Sequence, residues 1–221
     1  TKVAVYMLYR LYVQLFDLEQ RWNVLIIVIM IISMMIGAFG GLAENSIRRV
    51  LGYQMLNGMP FILVMLAFTS DDPRRALAAG IMYTIHHMLT VGSLILASGA
   101  IEETYGTGLL SKLSGLARRD PIIAWIFAAG AFSVVGFPPF SGMWGKLMIV
   151  FEIARVGGAW AWIAIAAIII ASFAAFLAML RVWRKVFWGK GLPEDKVPDE
   201  LVIRKKLMAP SAALILSLIH I

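Results

Sequence analysis

The sequence contains no cysteine, which excludes disulfide bonds, iron–sulfur clusters and thiolate metal sites within its 221 residues. Charged residues are also scarce: 15% of the residues are Asp, Glu, Lys or Arg, 61% are hydrophobic, and the mean hydropathy is +0.83. A soluble domain does not carry so many long apolar runs, because it cannot bury them all. No stretch has the pattern of a β-strand. The composition therefore predicts an all-α, polytopic bundle of transmembrane helices.

Neither an initiating Met nor a basic leader precedes the first apolar run, so no signal peptide is predicted. We expect the chain to be a piece of a longer protein, cut inside a helix, since Thr1 already lies in that run. The net charge of +7 does not indicate nucleic-acid binding, because most of the excess positive charge lies in loops beside the apolar segments.

Seven apolar segments follow one another, which predicts about seven membrane spans. They are 1–16, 22–43, 50–69, 73–100, 121–151, 159–187 and 207–221. We expect 1–189 to form one transmembrane domain and 190–206 to form a solvated connecting loop. The segment 207–221 is shorter than the roughly 20 residues that cross a bilayer, so it is expected to be a truncated span.

Basic residues are shared unequally between the two sets of loops. Twelve Lys and Arg residues lie in one set, at 45–49, 102–120 and 184–206. Four lie in the other set, at 17–21, 70–75 and 152–158. Because cytoplasmic loops carry the excess of Lys and Arg, we expect the first set to face the cytoplasm.

The fifth apolar segment contains a break. The residues that interrupt it are Gly136, Pro138, Pro139, Ser141 and Gly142. Adjacent prolines remove two backbone donors, and carbonyl groups freed inside a bilayer need protein or water as partners. Lys146 follows one turn later, and an ionisable group beside a broken transmembrane helix indicates an ion-transport site. The alternative is a packing kink, with the Lys146 ammonium extended to a membrane surface.

Three more ionisable residues lie inside apolar segments. Lys2 is followed by apolar sequence as far as Phe16, which places it well below the surface where that segment ends. His86 and His87 lie near the middle of the fourth segment, where an imidazole can accept and donate protons. Neighbouring helical residues point roughly 100° apart, so only one of the two is expected to face the interior. The alternatives are a flanking charge at a true terminus for Lys2, and histidines satisfied by neighbouring helices.

Other polar residues carry less information. Glu44 and Arg48 have the i, i+4 spacing of a helical ion pair, and we expect a structural pair at the membrane edge. No third ligand accompanies the histidines at metal-binding spacing, so no metal site is predicted. Neither a nucleophile–His–acid set nor a Gly-rich phosphate loop can be traced, so we predict a transporter rather than an enzyme, without a cofactor.

The stretch SVVGFPPFSGMWGK, residues 133–146, resembles the broken helix and lysine of the antiporter-like proton-translocating membrane subunits. That family includes the large membrane subunits of NADH:quinone oxidoreductase (complex I) and of the Mrp multisubunit cation/proton antiporters. The stretches TKVAVYMLYRLY, NSIRRVLGY and GTGLLSKLSGLARRDP match the same family in the same order. The resemblance extends to about residue 189, and IHHMLTVGSLILASGAIEE is most similar to the D subunits of the Mrp antiporters.

This resemblance implies a fourteen-helix subunit built from two inverted five-helix repeats, of which the chain is the C-terminal half. The family's lysine of the eighth helix falls on Lys2, its histidine of the eleventh on His87, and its lysine or glutamate of the broken twelfth on Lys146. The resemblance implies that protons pass along this buried line of groups.

Two positions depart from the family pattern. Val91 stands where several relatives have a lysine, and Gly58 stands where others have a His or Gln. Water, or His86, would then have to complete the relay at these positions.

The implied function is that of a proton-translocating subunit in a monovalent cation (Na⁺)/proton antiporter of a prokaryotic plasma membrane. Its partners would be other membrane subunits, protons, the cation and the lipid bilayer. The first alternative is a proton-pumping membrane-arm subunit of an NADH:quinone oxidoreductase-like or hydrogenase-linked redox complex. The second is a structural subunit without ion flux.

Overall fold

The computed structural model describes residues 2–17, 19–190 and 201–217. Within these ranges the chain forms helices joined by short turns, and no β-strand forms. The helices are α1 Lys2–Gln14, α2 Asn23–Ala43, α3 Ile47–Leu63, α4 Pro73–Tyr105, α5 Leu116–Arg119, α6 Pro121–Val135, α7 Ser141–Val156, α8 Gly158–Val182 and α9 Lys205–Ser217. The prediction of an all-α helical bundle is confirmed.

Four helical segments are long and apolar enough to cross a membrane, so the chain is a multi-pass membrane protein. They are Gln20–Ala43, Ile47–Ala67, Pro73–Tyr105 and Gly158–Phe187. All but Pro73–Tyr105 include a short 3₁₀ or π turn at one end. Pro121–Val135 is a shorter apolar helix. The helices α1 and α9 have 13 residues each, fewer than the roughly 20 that a full span requires.

The long helix α4 is the centre of the bundle and contacts α3, α6, α7 and α9. It begins at Pro73. The side chain of the preceding residue, Asp72, accepts hydrogen bonds from the backbone N–H groups of Arg74 (3.0 Å) and Arg75 (3.4 Å). It ends at Tyr105, and the next residue, Gly106, adopts φ +70°, which glycine does without the strain that a side chain would cause. The helix therefore extends five residues beyond the predicted apolar segment, which ended at residue 100.

The break in the fifth segment lies between α6 and α7. Gly136 has φ +95° and ends α6, and α7 begins at Ser141. The prolines at 138 and 139 have no N–H to continue the helix, which explains the interruption. The predicted break, 136–142, was two residues too long, because Ser141 and Gly142 already belong to the first turn of α7.

The three loops that were grouped by their basic residues meet at one end of the bundle. The backbone N–H of Ile47 donates to Gly108 O, and that of Leu110 donates to Asn45 O, both at 2.9 Å. The N–H of Gly115 donates to Trp188 O at 3.2 Å. These contacts confirm that the loops share one end, which we call the loop end.

The ion pair expected between Glu44 and Arg48 is wrong. Helix α2 ends at Ala43, so Glu44 is in extended backbone and the two residues are not on one helix. Arg48 instead pairs with Glu102 of α4 at 2.5 Å, and Glu44 lies 3.6 Å from Arg49. Both pairs are partly exposed at the loop end, where an ion pair contributes little to stability.

Two hydrophobic clusters fill the described part of the bundle, one towards the loop end and one towards the opposite end. On α3, the cluster towards the loop end includes Leu51, and the cluster towards the opposite end begins at Phe61. On α4, the cluster towards the opposite end extends to Tyr83, and the cluster towards the loop end begins at Val91. Most of the polar side chains buried in the membrane-spanning helices lie between these clusters, in what we call the polar layer. Its members are Gln54, Asn57, His86, His87, Thr90, Ser133 and Ser141.

Candidate functional site

The first part of the site joins α1 to α4. The ammonium of Lys2 lies 2.7 Å from Nδ1 of His87 and 3.0 Å from Sδ of Met59. On the far side of the ring, Nε2 of His87 lies 3.2 Å from the backbone oxygen of Gln54. A carbonyl oxygen can only accept, so we assign the ring proton to Nε2 and leave Nδ1 to accept from Lys2. The imidazole thus has a partner at each nitrogen.

Gly58 explains how the ring of His87 fits against α3. A Cβ at this position would overlap Nε2 of His87 and would also lie 2.7 Å from Cε1. Glycine is therefore required by the close approach of the imidazole. The departure from the family pattern at Gly58 does not leave a gap, because the ring of His87 occupies the space beside it.

Both histidines are buried, contrary to the expectation that only one faces the interior. His86 is 0% exposed and His87 is 2% exposed. The expectation was wrong because α4 has helices on opposite sides. His87 faces α3, and His86 faces the broken helix, so two directions roughly 100° apart both lead into protein.

The second part of the site links His86 to the break through hydroxyl groups. Nδ1 of His86 lies 2.9 Å from Oγ of Ser141 and 3.3 Å from Oγ1 of Thr90. Thr90 in turn lies 3.2 Å from Oγ of Ser133. A hydroxyl both donates and accepts, so this chain can conduct a proton in either direction. Among the described residues, Nε2 of His86 has no hydrogen-bond partner.

Gly142 sets the distance between His86 and the break. A Cβ on Gly142 would overlap the backbone oxygen of Ser133 and lie 2.9–3.0 Å from Cε1 and Nε2 of His86. The unpaired nitrogen of His86 therefore stands directly over the first turn of α7. Only glycine permits this contact.

Lys146 lies at the break, where it replaces backbone donors that the prolines lack. Its ammonium donates to the backbone oxygens of Val134 (3.1 Å) and Val135 (2.8 Å), at the end of α6, and to Oγ of Ser172 on α8 (3.0 Å). The ring of Phe61 lies 5.4 Å away, within the range of a cation–π interaction. The ammonium thus points to the break and not to a membrane surface.

Tyr83 separates the two parts of the site. Its ring lies 5.5 Å from that of His86 and 5.9 Å from that of His87, measured between centroids. Among the described side chains, no hydrogen bond joins the Lys2–His87 pair to the group around His86 and Lys146. Transfer of a proton between the two parts therefore requires a water molecule or a rotation of a histidine side chain.

Several residues of this site were not identified from the sequence. Thr90, Ser133 and Ser172 are hydroxyl residues in apolar helices, and Gln54 and Met59 lie on α3. A lone Ser or Thr in a helix commonly bonds its own backbone, as Thr84 does to Gly80 O, so its presence alone does not indicate a site. The spacing of Thr90 from His86, one turn on the same face, was the only available signal.

A family model described as the transmembrane part of NADH:quinone oxidoreductase/Mrp antiporter proteins matches residues 1–176. The D subunit of the Na(+)/H(+) antiporter of Bacillus subtilis is 29% identical over 221 residues, which cover 99% of this chain and 43% of that protein. The N subunit of the NADH-quinone oxidoreductase of Cupriavidus taiwanensis is 26% identical and covers 97% of this chain and 45% of that protein. The chain thus spans less than half the length of these curated relatives.

Solved structures of an Mrp complex and of respiratory complex I also resemble this chain. The structure of the Mrp complex from Dietzia sp. DQ12-45-1b matches with a TM-score of 0.91 and 31% identity, over 99% of this chain and 47% of that chain. Respiratory complex I from Thermus thermophilus matches with a TM-score of 0.79 over 99% of this chain and 45% of that chain. At 22% identity, the second match shows a shared fold alone.

Proposed function

Because this chain belongs to the NADH:quinone oxidoreductase/Mrp antiporter transmembrane family, we propose that it is a proton-translocating part of a multisubunit monovalent cation/proton antiporter. The observation that carries the proposal is the alignment of Lys2, His87 and Lys146 in and beside the polar layer, between two hydrophobic clusters. An ionisable residue that is buried or half-buried in a membrane protein is costly, and three of them between the same two clusters indicate an ion path.

The Lys2–His87 pair has the geometry of a proton relay. When the Lys2 ammonium passes a proton to Nδ1 of His87, Nε2 can release the proton that it carries on the opposite side of the ring. One bond to hydrogen breaks and another forms, so a proton crosses the ring without a lasting change in its charge. The reverse sequence moves a proton towards Lys2 and restores the starting tautomer of the ring.

The break between α6 and α7 holds the second ionisable group of the proposed proton path, Lys146. The backbone oxygens of Val134 and Val135 hold the Lys146 ammonium inside the bundle, and the Ser172 hydroxyl accepts a third hydrogen bond from it. The chain from Ser141 through His86 to Thr90 also borders the break, and no hydrogen bond among the described side chains joins it to Lys146. We propose that protons travel between Lys146 and His87 by way of His86, with water bridging the gap beside Lys146 and the level of Tyr83.

The similarity to the D subunit of a Na(+)/H(+) antiporter supports Na⁺ as the coupled cation, and the similarity to an Mrp complex supports other membrane subunits as partners. The similarity to the N subunit of an NADH-quinone oxidoreductase supports the alternative, a proton-pumping part of a redox complex, in which the same relay would serve. The two are distinguished by reconstituting the full complex. An antiporter exchanges Na⁺ for protons without NADH and quinone, whereas a redox pump moves protons only when both are supplied.

We further propose that the protein is a multi-pass subunit of a prokaryotic plasma membrane, with the loop end in the cytoplasm. Residues 1–189 then form the proton-translocating domain, 190–206 a cytoplasmic connection and 207–221 part of a final span. Residues 191–200 and 218–221 lie outside the described ranges. The support is the excess of Lys and Arg in the loops that meet at this end.

The proposal is tested with Lys146→Ala in the full-length protein within its complex. Cation-dependent proton movement is measured by fluorescence dequenching in inverted vesicles and is normalised to the amount of assembled complex. We expect Lys146→Ala to abolish exchange, and Lys190→Ala, which removes an exposed lysine at the loop end, to leave it unchanged. Wild-type exchange in Lys146→Ala would overturn the proposal.

A further inference from the structure

Two buried amide side chains on α3 have polar atoms that nothing else in the described bundle satisfies. Gln54 is 1% exposed and Asn57 is 4% exposed. Among the described residues, neither Nε2 nor Oε1 of Gln54 has a hydrogen-bond partner, and neither has Oδ1 of Asn57. A buried polar group without a partner is destabilising, and three such atoms within one helical turn need a common explanation.

Gly41 of the neighbouring helix α2 faces the amide of Gln54 without a side chain. A Cβ on Gly41 would lie 3.5 Å from Nε2 of Gln54, 3.4 Å from Cβ of Tyr53 and 3.7 Å from Cβ of Ala178. These are ordinary van der Waals distances, so an alanine fits at this position. Its methyl group would touch Nε2 and cover the side of the amide that faces α2.

Gln54 lies between His87 and the loop end. The backbone oxygen of Gln54 accepts from Nε2 of His87. One turn beyond Ala178, roughly 5 Å along α8, Arg181 donates to the backbone oxygens of Leu42 and Glu44, both at 2.6 Å. Arg181 also donates to Oδ1 of the exposed Asn45 at 2.8 Å. Polar groups thus occur at each level from the imidazole to the surface.

We propose that Gln54 and Asn57 bind water beside Gly41, and that this water forms a branch by which protons enter or leave His87 from the loop end. The inference rests on the proposed function, since it assigns a route to the same relay. Amides suit this role because they donate and accept hydrogen bonds without titrating, so they hold water without trapping the proton. The branch reaches the ring on the side opposite Lys2, as the relay requires.

The first test blocks or removes the amide. Gly41→Ala places a methyl group 3.5 Å from Nε2 of Gln54, where it covers this donor without a clash, and Gln54→Leu removes the amide that holds the water. We expect each variant, in the full-length protein within its assembled complex, to lower cation-dependent proton exchange about fivefold to tenfold, the effect of losing about one hydrogen bond. Gly52→Ala is the matched control, because nothing lies within 4 Å of its Cβ position.

The second test does not depend on activity. This chain has no cysteine, so Gln54→Cys can be probed within it by silver ions, with the modified peptide identified by mass spectrometry. We expect Gln54→Cys to react in the assembled complex, and Met34→Cys, which replaces a fully buried residue of the apolar core on α2, to remain unreactive.

The outcomes separate this inference from the proposed function. If Lys146→Ala retains wild-type exchange, the proposed function fails and the branch fails with it. If Lys146→Ala loses exchange while Gly41→Ala and Gln54→Leu behave like Gly52→Ala, only the branch is refuted. An unreactive Gln54→Cys, equal to Met34→Cys, also refutes it.

Discussion

The ammonium of Lys2 lies 2.7 Å from Nδ1 of His87, although 85 positions separate the two residues in the sequence. The contact joins α1, which packs mainly through Val5, Tyr9 and Tyr12, to the centre of α4. The hydroxyl of Tyr9 secures the same helix by donating to the backbone oxygen of Ile62 at 2.6 Å. The first helix therefore delivers a functional group to the polar layer, in addition to its apolar packing.

If Lys2 and His87 form one relay, their substitutions should not be additive. Lys2→Ala and His87→Ala should each lower cation-dependent proton exchange by roughly two orders of magnitude, as for loss of a proton-transfer group. The double variant should be no worse than the more impaired single variant, because an interrupted path cannot be interrupted twice. The measurement is exchange in inverted vesicles, normalised to assembled complex. A double variant whose loss equals the product of the two single losses would contradict the relay.

Gly58→Ala should disturb the relay without removing any of its polar groups. The new Cβ overlaps the imidazole of His87, so the ring must move away from Lys2 or α3 must move away from α4. Overpacking of this kind costs about 1–3 kcal/mol. We expect a lower melting temperature of the purified complex together with reduced exchange.

The matched control for that substitution is Gly52→Ala, on the same helix and with open space around its Cβ position. It should raise helix propensity and leave both measurements unchanged or slightly improved. If Gly58→Ala behaves in the same way as Gly52→Ala, the close approach of His87 to α3 is wrong.

The loop end offers a test of orientation. Cysteines at Lys112 and Lys190, both exposed in loops that meet at this end, should be labelled by a membrane-impermeant reagent only from the cytoplasmic side. A cysteine at Asp71, in the exposed turn before α4, should be labelled only from the outside. The excess of basic residues motivates this expectation. The opposite labelling pattern would reverse the proposed orientation.

The helices and the position of the break could be predicted from the sequence, because long apolar runs and adjacent prolines leave few alternatives in a membrane. The Glu44–Arg48 pair was wrong because a turn after Ala43 interrupts the helical spacing on which it relied. Both histidines proved to be buried because the number of helices around α4 is a property of the tertiary packing and not of α4 itself.

The hydroxyl groups of the site show a second limit. Thr90 and Ser133 lie 43 positions apart and meet only because α6 packs on α4. Ser172 reaches Lys146 from α8, 26 positions away. A hydroxyl residue has no pattern that distinguishes such a contact from a bond to its own helix, so the ionisable groups were identified and the residues that connect them were not.

Gly142→Ala should affect the second part of the site. The added Cβ overlaps the backbone oxygen of Ser133 and presses on the ring of His86, so α7 must shift at its first turn. We expect loss of exchange and a lower melting temperature of the complex. Gly99→Ala on α4, with nothing within 4 Å of its Cβ position, is the control and should change neither quantity. Normal exchange in Gly142→Ala would show that the contact between His86 and the break is not required.

Lys146→Arg distinguishes a titratable group from a fixed charge. A guanidinium group keeps the positive charge and can donate to the same backbone oxygens of Val134 and Val135, but it does not release its proton in the physiological range. If Lys146 acts by loading and releasing a proton, Lys146→Arg should be nearly as inactive as Lys146→Ala while the complex remains assembled. Lys146→Glu should retain partial exchange, because a carboxylate also takes up and releases protons.

Ser172→Ala completes the comparison. It removes one acceptor of the Lys146 ammonium and leaves the two backbone oxygens in place, so we expect exchange to fall only about fivefold, the effect of one hydrogen bond. All four variants are measured in parallel as cation-dependent fluorescence dequenching per assembled complex. If Lys146→Arg retains wild-type exchange, the lysine stabilises the break as a fixed charge, and protons must cross this level of the bundle without it.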